Sequence, residues 1–428
     1  MRILFLSHYF PPEVNAPASR TFEHCREWVR AGHRVTVVTC APNHPRGEVY
    51  PGYRNRLWQR ETRDGIEVIR LWTFISANEG FAKRSLGYLS FLIACVFAAP
   101  FLPRADVLLT TSPQFFNGLA GYPVKLLKRL PWVLEIRDLW PESILAVGAV
   151  KNKLLIRFLS ALERFAYRKA DHIVPVTQAF RRYMLAKGVP AEKITVIRNG
   201  VDLAFFDSRA SGEALRAELK LQGKFIASYV GTHGMAHGLE TLLDAAQLLR
   251  DHPDIALLMV GDGAERERLA KLREERGLTN VVMLPQQPKE RMPEIWALSD
   301  ASLVLLKKML LFETVIPSKI FESMAMEKPI VLGVGGEAKE IVEEARAGIV
   351  VEPENAAALA TGILELAQDP QRVRALGAHG RAYVGANFER RVLARRYEAV
   401  LTALRAASAP ETLTVGATDD RTGPTRKA

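Results

Sequence analysis

Within Pro317–Glu322 lie a helix-opening Pro-Ser pair, a cation and a carboxylate. The segment follows an apolar run, Leu303–Leu306, which reads as a buried parallel strand. Ser318 is expected to cap the next helix, its hydroxyl accepting a first-turn N–H. Free N–H groups at a helix start attract anions, and Lys319 adds positive charge there. Glu322, one turn on, is placed to accept hydrogen bonds from vicinal hydroxyls such as those of a ribose. A phosphate site beside a hydroxyl-binding carboxylate implies a nucleotide. The same residues also fit an ordinary capped helix with a solvated Lys and Glu.

A second constellation precedes it. The strand Phe225–Val230 leads into Gly231-Thr232-His233-Gly234, followed by His237 and Gly238. Glycines let backbone N–H groups approach a phosphate closely. No Gly-Lys-Ser/Thr follows, and the spacing is not GxGxxG, so neither a P-loop nor a dinucleotide fingerprint is present. His233 and His237 supply weak or protonation-dependent positive charge. Lys319 is then the main cation, with Lys307 or Lys308 as helpers. Another strand, Leu257–Gly263, ends at Gly261, and Val281–Pro285 ends just before Gln286.

In the N-terminal half, Val133–Ile136 runs directly into Arg137 and Asp138. Open α/β sheets bind ligands at the carboxyl ends of their strands, so both are cleft candidates. A purely structural Arg–Asp pair is the competing reading. The loop after the first strand offers Glu13, Asn15 and Arg20. Asn199 lies in Arg198-Asn199-Gly200-Val201-Asp202, at the end of the first half.

Taken together, PSKIFESMAMEKPIV resembles the donor-binding segment of retaining GT-B glycosyltransferases of family 4. RDLWPES is similar to the branch typified by bacterial L-fucosamine transferases. The resemblance implies that Glu322 holds the ribose of a nucleotide diphosphate sugar, expected to be UDP-linked. Pro317, Ser318 and Lys319 would meet the diphosphate. Gly231, Thr232, His233, Gly234, His237, Gly238, Gly261, Gln286, Lys307 and Thr314 would line the rest of the donor site. Thr314 stands where the family carries the first Glu of its Glu-x7-Glu pattern, and Glu313 sits one place early. Arg137, Asp138, Lys319 and Glu322 would act in catalysis, and Glu13, Asn15, Arg20 and Asn199 would face the acceptor. No metal and no cofactor beyond the nucleotide-sugar substrate is expected. The expected acceptor is a polyprenyl-diphosphate-linked sugar or a saccharide, used in making surface polysaccharide. A nucleotide-sugar 2-epimerase and a silent nucleotide-sugar-binding scaffold remain as alternatives.

The elements that must position these groups alternate strand and helix over the 428 residues, which predicts an α/β fold of two Rossmann-like domains. The expected division is 1–203 and 204–384, with 385–407 crossing back to the first domain and a disordered tail at 408–428. Ala41–Gly65 reads as an irregular basic loop, Ile194–Ile197 as a strand, and Arg381–Ala406 as one long helix.

The charge is uneven. Residues through Asp207 hold 29 Lys/Arg against 17 Asp/Glu, and the remainder 29 against 30, matching the net +11. No nucleic-acid-binding signature accompanies the basic half, so an anionic membrane surface is the expected partner. Ser85–Pro103 is the most apolar stretch. It reads as a buried or half-buried helix, as an interfacial helix, or, least well, as a span. The basic helix around LLIRFLSALERFAYRK meets lipid or is simply solvated. Three cysteines show no pairing or metal spacing, and the chain opens directly on a strand. The expected location is the cytoplasm, peripheral at the inner face of its membrane.

Overall fold

The computed structural model describes residues 1–408 except 45, 77–80, 113–114 and 147–151. Of the expected tail, Ser408 ends a helix and 409–428 lie outside the described residues. Two separate sheets organise the chain. The first has β1 (Arg2–Leu6), β2 (Arg34–Cys40), β3 (Trp58–Arg63), β4 (Ile66–Leu71), β5 (Val107–Thr111), β6 (Trp132–Ile136) and β7 (His172–Pro175). Its order is β3-β4-β2-β1-β5-β6-β7, and only β3 is antiparallel. The second has β8 (Phe225–Val230), β9 (Ile255–Val260), β10 (Val281–Leu284), β11 (Ala301–Leu305), β12 (Ile330–Gly333) and β13 (Gly348–Val350), all parallel, in the order β10-β9-β8-β11-β12-β13.

Strand alternation divides each sheet between two cores. Leu4, Leu6, Leu108, Leu134 and Ile136 face one side of the first sheet, and Ile3, Phe5, Leu109 and Val133 the other. Near-continuous apolar strands are what a parallel sheet covered on both faces requires.

The two halves are tied together. Helix Pro370–Asn387 packs on helix Lys319–Ala325 of the second domain. The former helix ends at Phe388, whose carbonyl accepts the Val201 N–H at 3.0 Å. Helix Arg390–Ser408 then lies beside helix Ala16–Arg30, and the Trp28 indole donates to the Ala394 carbonyl at 3.0 Å. The crossing therefore exists, but the single helix expected over Arg381–Ala406 is two.

Other expectations need correction. The loop expected over Ala41–Gly65 contains β3, which pairs with β4 although its own pattern is polar and half-exposed. Ile194–Ile197 makes only an isolated bridge, Ile194 to Ile173, with Ile197 donating to the Pro175 carbonyl. Ser85–Pro103 falls in helix Phe81–Ala98 and a following single turn. Among the described residues, no helix is long and apolar enough to cross a membrane.

Candidate active site

The carboxyl ends of β8, β9 and β11 meet the start of helix Lys319–Ala325. Gly231 continues β8 and Gly261 continues β9, both at left-handed φ (138° and 148°). A Cβ on Gly261 would stand 1.8 Å from the Gly231 carbonyl oxygen, and one on Gly231 would reach 3.0 Å from Lys319 Nζ. The glycines therefore clear a path for the Lys319 side chain. Its ammonium rests 3.5 Å from the centroid of the Tyr229 ring and has no hydrogen-bond acceptor. A buried cation held only by a ring face is under-compensated. Burial brings its pKa down to about 7, with nearby Glu322 opposing.

Ser318 does not cap this helix through its hydroxyl. It already has helical φ and ψ, and its carbonyl takes the Phe321 N–H at 3.1 Å. The Pro317 carbonyl takes the Ile320 N–H in the same way. Glu322 is half-buried; Trp296 Nε1 donates to its Oε2 at 3.4 Å, and burial raises its pKa.

His233 is fully buried, and neither of its ring nitrogens has a partner. Burial lowers its pKa to about 4 and that of His237 to about 3, so both are neutral at pH 7. The positive charge expected of them is absent. Both rings lie 5.9 Å from Tyr229. The Tyr229 hydroxyl donates to the Thr232 carbonyl, and the His233 N–H to the Asp262 carbonyl. The Lys307 N–H donates to the Ala236 carbonyl, Gly238 sits against the Lys307 stem, and Gly234 adjoins His237. Lys308 is engaged instead by Glu352 at 2.6 Å. Thr314 donates to the Leu311 carbonyl inside a short 3₁₀ turn, and Glu313 lies against Gly335. Gln286 is exposed just beyond β10.

The N-terminal candidates divide. Arg137 and Asp138 are neighbours in sequence but leave β6 on opposite faces, because successive side chains alternate. They form no ion pair with each other. Asp138 lines a small pocket with Ser112, Phe115, Trp140 and Tyr167, and burial raises its pKa. Arg137 points into the layer holding Glu135, Arg20, Arg390 and Tyr397, and desolvation lowers its pKa to about 9.

The acceptor candidates are engaged within the fold. Glu13 is buried and accepts N–H bonds from Phe10, Asn43 and His44 at 2.9–3.3 Å. It staples the first loop to residues 43–44, and burial raises its pKa to about 7. The Asn15 side chain caps helix Ala16–Arg30 through the Ala18 N–H. Arg20 is 1% exposed and spends its guanidinium on Glu135, the Ile197 and Arg198 carbonyls and Asn199 Oδ1.

Groups that motif reading missed join the halves. Lys289, after β10, pairs with Glu23 of the first domain at 2.8 Å, and Arg390 holds the same carboxylate at 2.6 Å. Glu337 accepts from Arg198 at 2.6 Å and from the Gln178 N–H. Among the described residues, no group of three His, Cys, Asp or Glu side chains is placed to hold a metal.

This arrangement of two Rossmann-like domains, each built on a parallel or mainly parallel sheet, is the GT-B architecture, and the comparisons with known proteins agree. Residues 15–200 match the glycosyl transferase 4-like domain and residues 212–383 match glycosyl transferases group 1. The chain belongs to this group 1, 4-like family of glycosyltransferases. It is 29% identical over 384 residues to a putative colanic acid biosynthesis glycosyl transferase, WcaI, of Escherichia coli, covering 85% of this chain and 91% of that one. Sucrose-phosphate synthase from Thermosynechococcus elongatus superposes with a TM-score of 0.75 at 21% identity, covering 95% and 100% of the two chains. Anabaena HepE in complex with UDP gives 0.67 at 20%, covering 94% and 100%.

Proposed function

We propose that this glycosyltransferase moves an N-acetylated amino sugar from a UDP-linked donor to a lipid-linked or saccharide acceptor during surface-polysaccharide synthesis. The transfer is retaining and needs no metal. The observation that carries this reading is Lys319, a buried ammonium without an acceptor, one helical turn before Glu322. A donor diphosphate would supply the missing anion, and Glu322 would take the ribose hydroxyls. The N–H groups of 231–238 and of the turn at Pro317–Lys319 would share the charge that develops on the leaving phosphate. That phosphate would accept the acceptor's proton. The UDP bound to HepE and the colanic acid role given to WcaI support the choice of donor and pathway. The L-fucosamine branch remains part of this reading on RDLWPES and the Pro317-Ser318-Lys319 segment.

The acceptor side of the reading includes an anionic membrane surface. Helices Phe81–Ala98, Phe115–Lys128 and Lys153–Lys169 cover one face of the first sheet. Their outer sides expose Leu86, Leu89, Ile93, Phe97, Leu126, Leu127, Leu154 and Phe158. The three helices contain one acidic residue, Glu163, and it is buried against Lys187. An apolar face ringed by Arg and Lys suits an anionic interface.

The test is a thermal-shift screen with UDP, GDP, ADP and dTDP, with and without EDTA. The expected result is stabilisation by UDP, unchanged by EDTA and lost in Lys319→Ala. Stabilisation that EDTA abolishes overturns the metal-free site. Failure of every nucleotide overturns the donor assignment.

A further inference from the structure

The layer between the first sheet and helices Ala16–Arg30 and Arg390–Ser408 holds more positive charge than it neutralises. Four cations gather there: Arg20, Arg137, Arg390 and Lys289. Two carboxylates answer them. Glu135 is taken by Arg20 at 3.0 Å and by the Thr111 hydroxyl at 2.7 Å. Glu23 is taken by Arg390 and Lys289. Arg137 is left without a counter-ion of its own. Its Nε and Nη1 are buried and unbonded. So are Arg390 Nη1, the Tyr397 hydroxyl and both ring nitrogens of His24. Arg390, Tyr397 and His24 are at least 94% buried. These groups feel one another's charge: Arg137 senses Glu135, Arg20, Arg390 and Tyr397, and His24 senses all three arginines.

Buried donors normally find partners, and a charged group left unsatisfied is destabilising. Several in one cluster, with a surplus of cations, are groups that a bound anion would satisfy. The position is informative. Arg137 leaves the carboxyl edge of β6, and Glu23 and Lys289 lie close enough to Glu322 to act on its charge. The cluster therefore abuts the donor site from the first-domain side.

We propose that Arg137 and Arg390, assisted by Tyr397 and His24, bind a phosphate or diphosphate group, the anionic part of a phosphate-bearing acceptor. The acceptor role rests on the transferase reading above; the anion site does not. Arg20 stays a positioning residue, since its guanidinium is fully used. The returning C-terminal helix thus contributes side chains to the first domain's site as well as covering its core.

The experiment is calorimetry with inorganic pyrophosphate and, separately, farnesyl diphosphate. Lys319→Ala serves as background, to silence the donor site. Lys319→Ala is expected to keep one pyrophosphate site. Adding Arg137→Gln should weaken it at least about tenfold, the loss of a charged hydrogen bond. Arg137→Gln alone should not lower the melting temperature, because it removes one of four crowded like charges. That readout separates an anion ligand from a structural arginine. Tighter binding of farnesyl diphosphate than of pyrophosphate identifies a lipid-linked source. Equal affinity identifies the free anion and overturns the acceptor role. Pyrophosphate binding that vanishes in Lys319→Ala, or survives unchanged in Arg137→Gln, overturns the site and leaves the cluster to buried water.

Discussion

Nucleotide binding should weaken as pH rises above 7, and Lys319 is the reason. In the empty site its ammonium has a ring face for company and no acceptor, and burial holds its pKa at about 7. A diphosphate placed against it favours the charged form, so binding draws in a proton. Only the protonated fraction is competent in the empty protein, and apparent affinity scales with that fraction. From one half at pH 7 it falls to about 0.03 at pH 8.5, so the dissociation constant for UDP should rise about fifteenfold, or about 1.6 kcal/mol. His233 and His237, at about 4 and 3, do not titrate in this window. Calorimetry in two buffers of different ionisation enthalpy reads the linkage directly. The expected uptake is about 0.5 proton per UDP at pH 7 and about 0.9 at pH 8. Lys319→Met should bind weakly and with no pH slope. The folded protein holds this proton less tightly than the unfolded chain does, so stability rises with pH. The penalty is complete below pH 7 and fades between pH 7 and 10.5. Lys319→Met should therefore raise the melting temperature more at pH 6 than at pH 9. A wild-type affinity that is flat from pH 7 to 8.5, with no proton uptake, would refute the reasoning.

Four further outcomes are expected. Glu322→Ala should weaken UDP at least about tenfold by calorimetry, about 1.4 kcal/mol, while the circular dichroism spectrum stays unchanged. Gly261→Ala should abolish UDP binding and cost at least about 1–3 kcal/mol in urea unfolding, because its Cβ must displace the Gly231 carbonyl. Arg20→Ala should cost about 3–5 kcal/mol, measured the same way, because it strands the buried Glu135 carboxylate. Wild-type protein should sediment with phosphatidylglycerol vesicles and not with phosphatidylcholine. The pair Phe97→Ser and Phe158→Ser should reduce that binding without lowering the melting temperature; unchanged sedimentation would remove the three-helix face from the proposal.

Periodicity and punctuation in the sequence determined the strands, most helices and the two-domain plan. β8 runs as read, because a strand buried on both faces is largely apolar, and that signal is local. Gly231, Gly261, Lys319 and Glu322 were legible for a similar reason: each follows a strand end or opens a helix, and strand ends in a parallel sheet point to one edge. β3 escaped notice because its stability comes from pairing with β4, while its own residues are polar and half-exposed. The opposite directions of Arg137 and Asp138, the full engagement of Arg20 and the Lys319–Tyr229 contact depended on side-chain packing across elements far apart in the chain. Charge state was decided by the same packing. From sequence Lys319 reads as a cation and the two histidines as weak or protonation-dependent positive charge, but burial makes the histidines neutral and leaves the lysine half-charged at pH 7, because the desolvation that sets a pKa exists only once the fold has closed around the group.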